Sequence, residues 1–130
     1  MRALFLLLAL SVAFTSCDLF SGTPAGCTDP FALNHDASAE EDDGSCRFSE
    51  VIFYKVPDGP PVEVSVDGQP VGTITAFYPD GPEACSAPGT PSYQLQDGLR
   101  HAWEGASGPF RSTGTVQANP SAACIQVRVF

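Results

Sequence analysis

The side chains able to do chemistry in this 130-residue chain are 5 cysteines, 2 histidines and 15 carboxylates, set against only 6 basic residues. Their spacing is uneven. Asp29, Asp36, Glu40, Glu41, Asp42 and Asp43 crowd between Cys27 and Cys46, and Asn34 adds a neutral oxygen. Carboxylates this dense repel one another unless water or a cation screens them, and hard oxygens beside a tight Asp-Gly turn suit Ca²⁺. The plainer alternative is a solvated acidic loop with no metal. An EF-hand is excluded, because counting back from Gly44 puts Ala39 at the first ligand position. Zinc is excluded as well, since only one histidine lies near and the cysteines are expected in a disulfide.

Catalytic patterns are scarce. His35 sits in the acidic loop and His101 in a strand-like run, and neither belongs to a G-x-S-x-G, C-x-x-C or H-E-x-x-H pattern. Asp97 and Glu104 could pair as carboxylates, but Asp97 reads as a turn residue and Glu104 as a solvent-facing one. A small hydrolase would need a cleft joining His101 to a carboxylate. The expectation is therefore no enzyme. With a net charge of −9, a nucleic-acid partner is excluded too, because phosphate binding needs a basic face.

The cysteine count is odd. Cys27, Cys46, Cys85 and Cys124 form an even set suited to an oxidising compartment, and Cys17 is left over. Met1-Arg2 followed by the apolar run Ala3 to Phe14 has the charged start and short hydrophobic core of a secretory signal. The run is too short for a membrane-spanning helix of about 20 residues. It ends Phe14-Thr15-Ser16-Cys17, which resembles a bacterial lipobox with Phe14 where Leu is usual. The resemblance implies cleavage after residue 16 and a covalent lipid on Cys17, hence an exported, membrane-anchored protein of the cell envelope, outer membrane expected. Several acyl chains on one residue hold far more firmly than a single myristoyl group. Residues 17–26 then read as the lipidated cysteine and a short tether.

The segment 27–46 contains Gly26-Cys27-Thr28-Asp29-Pro30, Ala32-Leu33-Asn34 and Asp42-Asp43-Gly44-Ser45-Cys46. It is similar to the short GCTDPxAxNYxxxAxxDDGSC module found, often repeated, in exported proteins of Bacteroidetes-type bacteria, with His35 where Tyr is common. Asp29 and Asn34 follow that module's fixed elements, and together with Asp42 and Asp43 they are the candidate calcium ligands. A Cys27–Cys46 bridge closing this loop is worth roughly 3 kcal/mol in the chain-entropy model.

Beyond Ser49 the pattern turns to β. Val51–Val56, Val62–Val66, Val71–Phe77, Tyr93–Leu95, Leu99–Trp103, Thr113–Ala118 and Cys124–Phe130 are short apolar or alternating runs broken by Gly, Pro and Asp. Asp67-Gly68 after the alternating Val62–Val66 is the strongest hairpin signal, and Asp97-Gly98 reads as a second hairpin turn. Leu99, His101 and Trp103 are expected on one strand face. About seven short strands predict an all-β domain over 50–130, a small antiparallel β-sandwich or partly open barrel preceded by the disulfide-closed acidic loop. Val64-Ser65-Val66-Asp67-Gly68-Gln69-Pro70-Val71-Gly72-Thr73-Ile74 resembles the strand-turn-strand of PEGA-type modules, which implies a non-catalytic extracytoplasmic domain. Four cysteines allow three pairings. Cys27–Cys46 with Cys85–Cys124 is preferred because it keeps each bridge within its own module.

These readings converge on a lipid-anchored envelope protein acting as a binding or structural module, with calcium as a candidate stabiliser. The alternative is a carbohydrate-binding accessory protein. It would use an exposed aromatic, Phe110 in its Gly/Ser-rich loop or Trp103, the chain's one tryptophan, although Trp103 alternates as a core residue would. The protein or glycan partner is not named by any motif.

Overall fold

The computed structural model describes residues 22–130. The signal segment 1–16 and the lipidation site Cys17 lie outside the described residues. Among those described there is no helix, and nine strands form three sheets that do not close into a barrel. All seven expected strands are present, and two very short ones lie in the cysteine loop.

In the loop, β1 (Ala25–Gly26) pairs in parallel with β2 (Glu41–Asp42), so the chain expected to end a tether already takes part in the loop's own ladder. The β domain has two sheets. One has the order β6 (Ser92–Gln94), β3 (Glu50–Tyr54), β9 (Cys124–Arg128). The other has β5 (Gln69–Ile74), β4 (Val62–Val66), β7 (Arg100–Ser107), β8 (Phe110–Gln117). Val51 and Phe53 of β3 face Val62, Val64 and Val66 of β4, Ile74, Trp103 and Val116 across one core, with Leu95, Ala118 and Val129 between them. This is the expected sandwich, in which inward apolar and outward polar side chains alternate.

Three features depart from the expectation. First, β9 runs parallel to β3, from Glu50↔Cys124 to Tyr54↔Arg128, so the sandwich is not wholly antiparallel. Alternation specifies which side chains face inward and is silent on the direction of the neighbouring strand. Second, Asp97-Gly98 is not a hairpin turn: β6 and β7 belong to different sheets, and this segment carries the chain across. The Gln94 amide donates to the carbonyls of Phe48 and Ser49, and Leu95 N–H donates to Ser49, holding β6 to β3 before the crossing. Third, Leu99 precedes β7 and is 67% exposed, so only His101 and Trp103 of the expected trio turn inward.

The true hairpins follow turn chemistry. Asp67 and Gly68, with φ of 50° and 77°, link the paired Val66 and Gln69 as a type I′ turn requires. Gly108 (φ 54°) followed by Pro109 joins Ser107 to Phe110, the residue order of a type II′ turn, so β8 begins three residues earlier than the sequence suggests.

The uninterrupted run Val51-Ile52-Phe53 is buried on both faces, as continuous apolar strands usually are. Val51 and Phe53 face the core. Ile52 points the other way, toward the side where the long Cys85 loop lies over β3 and β9. The Gln126 amide donates to the Pro82 carbonyl at 2.7 Å, and Gly81 approaches the Tyr54 hydroxyl. The Cys85–Cys124 disulfide fixes that cover to β9, and Cys27–Cys46 closes the acidic loop, the pairing preferred from the sequence. The acidic loop also rests on the sandwich: a Cβ at Gly98 would lie 2.6 Å from the Phe31 ring and 2.9 Å from an Asp29 oxygen.

Candidate functional site

Four carboxamide or carboxylate groups are the candidate calcium ligands, Asp29, Asn34, Asp42 and Asp43. In the structure the three aspartates each cap a turn of the loop, and Asn34 ties its middle to its C-terminal end. Asp29 Oδ1 accepts from Phe31 N–H at 2.8 Å, Asp43 Oδ1 from Ser45 N–H at 2.9 Å, and Asp42 Oδ1 from Gly44 N–H at 2.7 Å. Asp42 Oδ2 also accepts from the Thr28 hydroxyl at 3.3 Å. Asn34 spans the loop, its amide donating to the Ser45 carbonyl and its oxygen accepting from Arg47 N–H. The three aspartate contacts to the N–H two residues onward are Asx turns, in which a short polar side chain replaces a backbone acceptor. Asp36 adds another through Ser38, whose hydroxyl and N–H hold its carboxyl below the usual value. The Ser45 contacts do the same for Asp43. Buried Cys27 and Ala32 are the loop's apolar centre. Asp29, Asp36, Asp42 and Asp43 thus hold the turns around the disulfide.

A second polar cluster is one that spacing alone does not reveal. His101, on the inner face of β7 with its side chain 12% exposed, sits between two carboxylates. Nδ1 meets Asp67 Oδ2 at 2.7 Å and Nε2 meets Asp97 Oδ1 at 3.0 Å. Both ring nitrogens can donate only in the imidazolium form. Desolvation pulls the His101 pKa down, but the hydrogen bonds to Asp67 and Asp97 and their charges together outweigh it, so the pKa is raised. Asp67 is lowered by its bond to His101 and then by Ala102 N–H, which donates to Oδ1 at 2.9 Å. The cluster ties the β4–β5 hairpin turn to the crossing between the sheets. With each nitrogen held by a carboxylate, the imidazole acts as a clamp between two turns. The one signal available beforehand was that both Asp residues belong to Asp-Gly pairs flanking a strand, which places turn carboxylates at strand ends.

Of the two aromatics considered for sugar stacking, Trp103 is a core residue. It is 8% exposed, its ring centroid lies 6.1 Å from that of Phe53, and the indole covers Gly114 so closely that a Cβ there would sit 2.6 Å from it. Phe110 is 68% exposed and stands at the β7–β8 turn, beside an apolar cleft of about 230 Å³.

No protein-family model, curated protein or solved structure matches this chain. Two disulfides in a domain this small belong to an oxidising, non-cytoplasmic compartment. Among the described residues, no helix is long and apolar enough to cross a membrane.

Proposed function

We propose that this is a lipid-tethered, non-catalytic protein of the cell envelope whose sandwich serves binding or structural contact. The observation that carries this reading is how the reactive side chains of the described residues are used. Cys27, Cys46, Cys85 and Cys124 are consumed by two disulfides, and His101 is held on both nitrogens by Asp67 and Asp97. The capping acids hold turns. The even set of cysteines being paired leaves Cys17, at the lipobox-like sequence, as the residue whose role is attachment. A lipid there would anchor an acidic domain that an anionic headgroup surface repels. A glycan-binding role would rest on Phe110, since Trp103 lies in the core.

The test is expression of the full chain in a bacterial host, with fractionation and mass spectrometry of the mature N-terminus. An acylated Cys17 in the membrane fraction, released to the soluble fraction by Cys17→Ser, supports the tether. A soluble mature chain carrying an unmodified Cys17 thiol refutes it.

A further inference from the structure

Lys55 is the chain's single lysine, and it is buried, with 3% exposure. It directly follows β3 at the start of the connection to β4, and its Nζ donates to the carbonyls of Gly59 at 2.6 Å and Pro60 at 2.9 Å. Among the described residues, no carboxylate lies within ion-pair distance of it. The nearby Asp58 is exposed, and its Oδ1 accepts from Gly59 N–H instead. A buried ammonium without a counter-ion is costly. Stitching two carbonyls does not require the charge, because a neutral amide donor would do the same. An ammonium also has three N–H donors, and the two carbonyls use two.

Lys55 lines the cleft of about 230 Å³ together with Pro57, Pro60, Val62, Phe110 and Phe130, and the exposed Asp58 and Gly59 with the half-buried Ser107 complete its lining. A cavity of roughly 150 Å³ is enough for a benzene ring, so this one has room for a ring and a short polar head. The ammonium and the apolar wall line the same cleft. We infer that the cleft binds a small apolar carboxylate, its ring or branched chain against Phe110, Phe130 and Val62 and its carboxylate taking the third Lys55 donor. The same chemistry is presented by a free aryl or alkyl carboxylic acid and by the carboxyl end of a polypeptide finishing in a large apolar residue. This deepens the binding-module reading and rests on it, while being independent of the lipid on Cys17.

The experiment is titration of the disulfide-intact full chain with 3-phenylpropanoate and with 3-phenylpropanamide, followed by calorimetry and by amide NMR shifts. The acid is expected to bind about tenfold more tightly than the amide, equivalent to about 1.4 kcal/mol. Lys55→Gln removes the charge while leaving an amide donor, one bond shorter, near Gly59 and Pro60, and it should abolish that preference in a protein whose amide NMR spectrum shows the fold intact. Phe110→Ala removes an exposed wall without touching the core and should weaken the acid severalfold. Gly-Gly-Phe with a free or an amidated end forms the second arm: tighter binding of the free-ended peptide than of the acid assigns the site to a polypeptide terminus, and the reverse assigns it to a free acid. Equal binding of acid and amide, no saturation at millimolar acid, or indifference to Phe110→Ala overturns the inference. Such a failure with fold and membrane attachment intact removes this ligand and leaves the tethered structural role standing.

Discussion

Gly105 in the middle of β7 offers the sharpest test of how the two sheets meet. It is buried, and a Cβ built there would lie 2.1 Å from Val129 Cγ1 and 3.3 Å from Val62 Cγ1. Its φ is not in the left-handed region, so a substitution there acts through space alone. Two effects oppose each other in Gly105→Ala. Replacing glycine inside a strand gains roughly 0.5–1 kcal/mol of backbone entropy. Overpacking a filled core costs roughly 1–3 kcal/mol, and an overlap this deep belongs at the upper end. The net expectation is a loss of about 2 kcal/mol, or roughly 8 °C in melting temperature for a domain of this size. Val129→Ala alone should also destabilise, by roughly 2 kcal/mol, through lost burial and the space it leaves. In the double variant the blocking methyl is gone and the new one partly refills its place. Ala at 105 should therefore become neutral or stabilising in the Val129→Ala background, a reversal of sign. Thermal and urea unfolding of the four proteins measures the cycle. Effects that add within about 0.5 kcal/mol would show that β7 and β9 do not approach as described, and the sandwich geometry would be wrong.

Other perturbations reach the polar parts of the structure. His101, with its raised pKa, stabilises fully below its unfolded value of 6.5 and loses that contribution as pH rises through the folded value; Asp67, lowered, contributes above 3.8 and fails as pH falls through its folded value. Melting temperature should therefore decline from pH 6.5 upward in the native protein, and this decline should disappear in His101→Gln. An unchanged slope would count against the clamp. Asp43→Ala removes the cap on Ser45 N–H and should lower the melting temperature equally in chelator and in millimolar calcium, with the native protein unmoved by calcium. A saturable, calcium-dependent rise that Asp43→Ala abolishes would assign a metal site to the loop. Replacing Cys85 and Cys124 by serine opens a 39-residue separation worth about 4 kcal/mol in the chain-entropy model. Hydrogen exchange should then quicken in 78–91 and at Ile52 before the core of β4 and β7, and uniform loosening would deny the loop its covering role.

How much of this was readable beforehand follows from the range of each force. The I′ hairpin at Asp67-Gly68 is local, since both residues must adopt positive φ, and the sequence carries it whole. The alternation of Val62, Val64 and Val66 is equally local and marks the buried face correctly. Asp97-Gly98 has the same two letters as Asp67-Gly68 but a different fate. There Asp97 Oδ1 still caps locally, accepting from Leu99 N–H at 2.8 Å, but Phe31 occupies the space beside Gly98 and His101 links Asp97 to the distant turn at Asp67. Parallel pairing of β3 with β9 is likewise set at a distance, by the lock in which buried Ser49 exchanges hydrogen bonds with Asn119 and by the Cys85 loop held over both strands.

The candidate sites divide along the same line. A run of acids is conspicuous in one dimension, yet an Asp side chain is short, and the nearest unsatisfied donor is the N–H two residues onward. Local capping is therefore the contact that sequence makes legible, and in this loop Asp29, Asp42 and Asp43 each take that partner. Lys55 behaves oppositely. One lysine at the end of a β-strand is inconspicuous in a sequence, because a long flexible stem normally carries the charge to water. Only the folded connection at 57–60, which turns two carbonyls onto Nζ, and the β7–β8 turn, which brings Phe110 alongside, make a buried cation within an apolar wall. Short polar side chains are read from their neighbours in sequence, and long ones from their neighbours in space. In this protein the second kind of neighbour points to a ligand.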